Sequence, residues 1–201
     1  MHVRTVAIMV FDDVDVLDFT GPYEVLHKAR TEPGSESRRS TEGAPFNVVT
    51  VSKTGETVRA DGRLRIVPDY SFETVPDMDI LLVPGGFGTR RLLADEETLA
   101  WIRRAHDKCE LTASVCTGSL LLAKSGLLKD RRATTHWAAL DLLGSIDASI
   151  RVDRDARFVV DHIVTSAGIS AGIDMAFYLV KRFCGDEIAS ETAIYIGYRL
   201  N

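Results

Sequence analysis

The chain has 201 residues, of which 45% are hydrophobic, and its formal net charge is -5. This length supports one substantial hydrophobic core and is short for two, so we predict a single domain over residues 1–201. The acidic balance argues against a surface that binds nucleic acid or an anionic membrane, and we expect neither as a partner.

Apolar runs of strand length alternate with amphipathic helical patterns along the chain. The runs predict strands at residues 6–11, 46–51 and 80–83, a hairpin at 57–67, a strand at 111–115 and further strand structure near 158–166. The helical patterns cover residues 23–30, 96–108, 117–123, 137–143, 173–183 and 187–198. Pro22 is expected in the first turn of the first helix, and Asp95 is expected to cap the second.

This order of elements predicts an α/β fold, a doubly wound and mostly parallel sheet with helices on both faces. Residues 31–44 are rich in Glu, Ser, Arg and Gly, and we interpret them as a polar, mobile insertion inside the domain. The start of the chain leads straight into a strand and shows no secretion signal, and no apolar run reaches the length of a membrane span. We therefore expect a cytoplasmic protein.

Cys116 lies where a predicted strand turns sharply into a predicted helix. A residue at such a corner is exposed above the sheet, and the free N–H groups of the helix point at it. We expect those groups to lower the pKa of the thiol and to make it a nucleophile. Cys109 and Cys184 have no Cys-x-x-Cys spacing, so we expect them to pack and expect neither a disulfide framework nor a metal site.

Three strand ends are predicted to meet at the edge of the sheet that holds Cys116. After the first strand comes Asp18, between two apolar residues, where a raised pKa would let it share a proton with a thiolate. The alternative, equally open from the sequence, is that Asp18 caps the helix at Pro22. After the strand at 80–83 come Gly85 and Gly86, whose small size lets backbone amides approach a ligand and form half of an oxyanion site.

Five short motifs follow one another along the chain. They are Leu-Asp-Phe-Thr-Gly-Pro (17–22), Val-Pro-Gly-Gly (83–86), Ser-Val-Cys-Thr-Gly-Ser (114–119), Ala-Thr-Thr-His-Trp (133–137) and Thr-Ser-Ala-Gly-Ile-Ser-Ala-Gly-Ile-Asp (165–174). Together they resemble the ThiJ/PfpI superfamily of glutamine-amidotransferase-like proteins. Within it, the chain is similar to isonitrile hydratase and to the amidotransferase-like domain of AraC-type regulators, although residues 166–168 resemble the regulators more. The resemblance implies a flavodoxin-like, amidotransferase-like sandwich, and, because the chain ends at Asn201, a free-standing protein without a DNA-binding part.

The resemblance also assigns roles to individual residues. Cys116 matches the nucleophile, Thr117 the threonine that follows it, and Asp18 the acidic residue that contacts the thiol. Gly85, Gly86 and the Thr117 amide match the oxyanion site. His136 matches a histidine near the cysteine, for which we favour an orienting role over proton transfer. Phe87, with Phe19 and Trp137, is expected to shape the substrate pocket.

The same comparison disfavours two other activities. PfpI-like peptidases have histidine directly after the cysteine, where this chain has Thr117. Glutamine hydrolysis uses a Cys/His/Glu triad, and His162 lacks the residues that would complete it.

The activity we predict is the hydration of an isonitrile to an N-substituted formamide, carried out on a small-molecule substrate by a homodimer without metal or organic cofactor. One alternative is glyoxalase-type chemistry on a reactive dicarbonyl. The other is a protein that is not an enzyme, in which Cys116 senses oxidation or a ligand.

Overall fold

The computed structural model describes residues 2–200, and a seven-stranded sheet forms its centre. Its strands are β1 (Arg4–Met9), β2 (Phe46–Ser52), β5 (Tyr70–Ser71), β6 (Ile80–Val83), β7 (Leu111–Val115), β10 (Phe158–Val160) and β11 (Val164–Ser166). Their order across the sheet is β10-β11-β7-β6-β1-β2-β5. All neighbouring strands are parallel except β10 and β11, which are antiparallel.

Two small ladders complete the β structure. The antiparallel pair β3 (Val58–Arg59) and β4 (Arg65–Ile66) is the predicted hairpin, and β8 (Arg132–Ala133) pairs in parallel with β9 (Arg151–Val152). The last ladder has no signal in the sequence, because each of its strands has only two residues.

The central strands are buried on both faces because helices cover both faces of the sheet. The helices are α1 (Val16–Lys28), α2 (Thr89–Leu92), α3 (Glu96–His106), α4 (Gly118–Lys124), α5 (Leu140–Ile146), α6 (Ala171–Cys184) and α7 (Asp186–Ile196). Helices α1, α6 and α7 pack together, while α2, α3, α4 and α5 form a second packed group. The buried apolar side chains of these layers form one core cluster. The predicted α/β class with a mostly parallel sheet is confirmed.

The order of strands reverses between β1 and β6. From β1 the chain moves outward to β2 and β5, then crosses back to β6 and continues through β7 to β11. In sheets of this kind, ligands bind beyond the carboxyl ends of the strands at the reversal. The segments after β1, β6 and β7 therefore converge where the sequence places Asp18, Gly85 and Cys116.

The first helix differs from the prediction. It begins at Val16, seven residues before Tyr23, because Asp15 caps it by accepting the Leu17 amide at 3.2 Å. Pro22 thus lies inside the helix rather than in its first turn. The interpretation of Asp18 as a helix cap is wrong, since Asp18 is already in the helix.

The polar segment at residues 31–44 folds around the buried guanidinium of Arg30. That group donates hydrogen bonds to the carbonyl oxygens of His27, Ala29, Ser37 and Ser40, so it joins the end of α1 to the segment. Carbonyls at a helix end attract a cation, which explains why this arginine tolerates burial. The mobility of residues 31–44 stays a prediction, and these bonds argue against it.

The other predicted helices are found within a few residues of their expected bounds. The pattern at 137–143 divides into a short 3-10 turn at Trp137–Ala139 and α5. No helix within residues 2–200 combines the length and apolar character that crossing a membrane requires.

Candidate active site

Cys116 is placed by a strained turn between β7 and α4. Its φ angle is 54°, in the left-handed region that side chains other than glycine rarely adopt. Its amide donates to the carbonyl oxygens of Ser166, at 3.1 Å, and Ala167, at 2.9 Å. Its carbonyl oxygen accepts from the hydroxyls of Thr135, at 3.0 Å, and Ser119, at 3.2 Å. The predicted corner is therefore present, and bonds on both sides hold its backbone in the strained form.

The carboxyl group of Asp18 is fully buried beside the thiol. Its Oδ2 atom accepts a hydrogen bond from the Gly85 amide at 2.9 Å. Its Oδ1 atom is also buried and has no nitrogen or oxygen partner among residues 2–200. The thiol of Cys116 adjoins the same carboxyl and is the donor available to it.

Burial raises the pKa of Asp18 to about 7, and the charge of Asp15 adds to this effect, while the Gly85 amide and the thiol oppose it. Burial also raises the pKa of Cys116 to about 12, with the charge of Asp18 as the next cause. The expectation of a lowered thiol pKa is wrong. Helix α4 has only seven residues, and its amides do not offset the loss of water around the sulfur.

Together these two shifts describe a pair that shares protons. Near neutral pH the thiol keeps its proton and the carboxyl is poised between its two forms. A thiolate then forms when the proton passes from Cys116 to Asp18, rather than in the resting protein.

The glycine turn after β6 lets the backbone approach Asp18 and Thr117 closely, but the amides of Gly85 and Gly86 are not free to donate to a ligand. The Gly85 amide is bonded to Asp18, and the Gly86 amide donates to the Thr117 hydroxyl at 3.0 Å. The predicted oxyanion donors at Gly85 and Gly86 are thus occupied, which corrects that assignment. A Cβ atom at Gly85 would lie 2.5 Å from the Thr117 nitrogen, so only glycine fits there.

Two other amides face the sulfur. The backbone N–H groups of Thr117 and Ile169 both interact favourably with a thiolate at Cys116. Ile169 has a φ of 32°, an outlying value for a β-branched residue. These amides are the available donors for negative charge that develops on or beside the sulfur.

Hydroxyl groups continue from Thr117 toward the protein surface. The hydroxyl of Thr89 donates to the Gly86 carbonyl at 2.7 Å and lies 3.2 Å from that of Thr117. Arg90 donates to the Thr89 hydroxyl at 3.1 Å. The side chain of Thr117 is therefore held in a network that reaches from the glycine turn to a guanidinium.

A cavity of about 230 Å³ opens above the thiol. Phe19 was expected to shape it, but it is buried in the core instead. Trp137 is 77% exposed, and its ring lies beside that of His136 at an interplanar angle of 40°. The side chains and backbone that line the cavity are Asp15, Asp61, Gly86, Phe87, Arg90, Cys116, Thr117, His136, Ala138 and Ile169.

His136 is held in one orientation at the cavity wall. Its Nδ1 atom accepts the Ala138 amide at 3.3 Å, which leaves the proton of the neutral ring on Nε2. The ring packs so closely on Gly168 that a Cβ atom there would lie 2.8 Å from Cδ2. This geometry favours a fixed N–H donor over a general base. The other histidine considered, His162, contacts the ring of His106 edge-on instead.

Sequence reasoning missed Thr135, Ile169 and Arg90. Thr135 and Ile169 lie within motifs that the sequence presents, but nothing in those motifs separates a supporting hydroxyl or amide from its neighbours. Within residues 2–200, no three His, Cys, Asp or Glu side chains gather as metal ligands do.

Comparisons with known proteins identify the family to which the chain is similar. The DJ-1/PfpI family profile matches residues 4–182. An isonitrile hydratase of Pseudomonas putida is 36% identical over 196 residues, covering 96% of this chain and 78% of the relative. The HTH-type transcriptional regulator GbdR of Pseudomonas aeruginosa is 30% identical over 96% of this chain, which spans only 51% of the regulator. A crystal structure of a ThiJ/PfpI family protein from Pseudomonas syringae matches with a TM-score of 0.86 at 29% identity, over 100% of this chain and 77% of that one.

Proposed function

The chain belongs to the DJ-1/PfpI family, and we propose that it is a cysteine-dependent hydro-lyase that adds water to an isonitrile and releases an N-substituted formamide. The observation that carries the proposal is the proton-sharing pair of Cys116 and Asp18 at the floor of a cavity. The similarity to an isonitrile hydratase over nearly the whole chain supports the choice of substrate.

In the first half of the reaction, the proton of the Cys116 thiol moves to Asp18. The resulting thiolate attacks the terminal carbon of the isonitrile and forms the C–S bond. Asp18 then gives its proton to that same carbon, which leaves a thioimidate on the sulfur and a carboxylate at Asp18. A carboxyl with a pKa near 7 suits this double role, because both its protonated and its ionised form are accessible near neutral pH. The thiol has the higher pKa, so the thiolate forms only transiently and is consumed as the C–S bond forms.

In the second half, the Asp18 carboxylate removes a proton from water as the hydroxide adds to the thioimidate carbon. Asp18 passes that proton to the nitrogen, the C–S bond breaks as the carbonyl forms, and the hydroxyl proton returns to the pair. The sum is one isonitrile and one water converted to one formamide. The amides of Thr117 and Ile169 stabilise the charge on the departing sulfur.

A sensor function is the second candidate, because GbdR, a transcriptional regulator, matches 96% of this chain. Such a protein would use the same cavity to bind a ligand without turning it over. A glyoxalase has less support, since it needs a base that reaches two carbons, and the Nδ1 atom of His136, which lines the cavity, is occupied by the Ala138 amide.

The test is incubation of the purified protein with cyclohexyl isocyanide and, separately, with methylglyoxal, with Cys116→Ala as the blank. We expect the N-substituted formamide in the first reaction alone. Lactate in the second would favour the glyoxalase. If neither reaction yields product while Cys116 still reacts with alkylating reagents, the result contradicts the hydratase and favours the sensor.

We also propose that the protein is a homodimer. Phe87 at the cavity and Trp137 beside it are each 77% exposed, which is typical of surfaces that a partner subunit covers. Sedimentation equilibrium tests this, and a monomer at micromolar concentration would contradict it.

A further inference from the structure

Arg90 lies at the mouth of the cavity that contains Cys116. It belongs to α2, which follows directly on the glycine turn after β6, so the turn that brings Gly85 to Asp18 also delivers this side chain to the cavity. The cavity also contains two carboxylates, the Thr117 side chain and His136, so Arg90 is the arginine among its lining residues and its role there needs a physical explanation.

The guanidinium of Arg90 is anchored at one point. Its Nη1 atom donates to the hydroxyl of Thr89 at 3.1 Å, and Thr89 is itself fully buried. That hydroxyl donates in turn to the Gly86 carbonyl at 2.7 Å. The anchor holds Arg90 against the cavity and reduces the conformational entropy that binding a ligand would remove.

The bond to Thr89 uses only a small part of the hydrogen-bonding capacity of Arg90. A guanidinium has five N–H donors, and the bond to Thr89 uses one of them. No Asp or Glu in the described part of the chain forms an ion pair with Arg90. The adjacent Arg91, in contrast, donates to the Asp13 carboxylate at 2.8 Å and to the Asp12 carbonyl at 3.0 Å.

The two carboxylates that line the cavity are engaged elsewhere. Asp15 accepts the Leu17 amide at 3.2 Å, and Asp61 accepts the Gly62 amide at 2.8 Å. Both repel an anion, so a negative group that enters the cavity is expected on the side of Arg90.

We propose that Arg90 is a specificity-determining residue that binds a carboxylate on the non-reacting end of the substrate. The planar fork of donors matches a carboxylate with two parallel hydrogen bonds. The substrate class is then an isonitrile whose nitrogen substituent bears a carboxylate. The assignment of the substrate as an isonitrile rests on the proposed function, whereas the recognition of an anion beside Cys116 does not.

The first experiment needs no turnover. Rates of Cys116 alkylation by iodoacetate and by the neutral iodoacetamide are measured by peptide mass spectrometry in the wild type, Arg90→Gln, Arg90→Lys and Arg91→Gln. We expect the iodoacetate to iodoacetamide rate ratio to fall about fivefold in Arg90→Gln, the order expected for one charge across a solvated cavity. Arg90→Lys should retain most of the ratio, and Arg91→Gln all of it.

Two outcomes of that experiment would overturn the proposal. The first is a rate ratio in Arg90→Gln that equals the wild-type ratio, in a variant whose thermal midpoint shows that it is folded. The second is an equal fall of the ratio in Arg91→Gln and in Arg90→Gln, which would mean that the overall positive charge of this surface, and not Arg90 itself, attracts iodoacetate.

The second experiment compares isocyanoacetate with its methyl ester as substrates. We expect the wild type to prefer the acid in kcat/KM and Arg90→Gln to lose that preference through a higher KM. A wild type that prefers the ester contradicts the proposal for Arg90. No turnover of any isonitrile contradicts the hydratase instead, and the alkylation ratio then decides the role of Arg90 alone.

Discussion

The carboxyl group of Asp18 is buried beside the thiol of Cys116, and its Oδ1 atom accepts no hydrogen bond from a nitrogen or oxygen among the described residues. A buried acceptor without a partner is costly, and a thiol proton beside it reduces that cost. The reactivity of the sulfur is therefore controlled by the protonation state of one carboxyl group.

The rate of Cys116 alkylation should follow the titration of Asp18. Below pH 7 the carboxyl is protonated and cannot take the thiol proton; above it, the carboxylate can. We expect the rate with iodoacetamide to rise through about pH 7, and Asp18→Asn to lack this step. A wild-type rate that rises only at strongly alkaline pH would contradict the assignment.

Cys116 should also be alkylated before the other two cysteines. Burial raises the pKa of Cys109 to about 12 and that of Cys184 to about 11. The charge of Asp79 also acts on Cys109, but, against the effect of burial, hydrogen bonds from His2 and the Thr5 amide hold the pKa of Asp79 below its usual value, so it is a weaker proton acceptor than Asp18. Peptide mapping after mild labelling measures the three extents. In Asp18→Asn the selectivity for Cys116 should disappear, and equal labelling of all three thiols in the wild type would count against a proton-sharing pair.

Asp18→Asn should stabilise the protein at alkaline pH. The folded state holds the proton of Asp18 up to about pH 7, whereas the unfolded chain releases it near the ordinary pKa of 3.8. The contribution of the protonated Asp18 carboxyl to the free energy of unfolding is therefore fully present below pH 3.8 and is lost as the pH rises through 7. The buried carboxylate then costs up to roughly 4 kcal/mol at pH 8.

Thermal unfolding of both proteins at pH 4 and pH 8 measures this effect. The asparagine keeps an oxygen for the Gly85 amide, so the gain in Tm should be large at pH 8 and small at pH 4. Equal gains at both pH values would show that the effect does not come from the charge.

Thr117→Val should destabilise the turn after β6. The valine leaves the Gly86 amide without its acceptor, at a cost of about 1 to 2 kcal/mol, and removes the hydroxyl beside Thr89. Thr117→Ser keeps the hydroxyl and is the matched control. Urea denaturation gives both free energies of unfolding, and equal values for the two variants would mean that the bond to Gly86 contributes nothing.

Gly118→Ala should disrupt the fold at the start of α4. A Cβ atom at Gly118 would lie 2.0 Å from the Val83 carbonyl oxygen, so β6 and α4 would have to move apart. We expect the free energy of unfolding to fall by about 3 kcal/mol or more. Gly144 lies inside α5, where a Cβ atom meets Val152 at an ordinary 3.6 Å. Gly144→Ala should therefore stabilise by about 0.5 to 1 kcal/mol. Calorimetry of both variants checks the contrast.

The corner at Cys116 could be predicted because an apolar run and a helical pattern meet there without a gap, and the strand bounds at 80–83 and 111–115 are confirmed. The start of α1 was missed because Pro22 indicates a first turn, whereas the cap at Asp15 determines where this helix begins.

The electrostatics of the site could not be predicted in the same way. The pKa of a thiol depends on how completely the fold removes water from it, and a short helix at the corner gives the opposite expectation. Likewise, the partners of the Gly85 and Gly86 amides belong to segments far away in the chain, and no local pattern specifies them. The role of Arg90 depends on which charges are absent around it, and a sequence does not show that.

The residues around the sulfur come from four separate segments: the first turn of α1, the turn after β6, the corner after β7 and the loop after β11. They come together only when the central strands are all paired. Partial unfolding that detaches any one of these segments should abolish the Asp18-dependent component of Cys116 labelling while other probes still report native structure. The reactivity of the Cys116 thiol therefore depends on cooperative folding of the whole sheet. Its labelling rate along a urea titration shows whether the central strands unfold in a single cooperative transition.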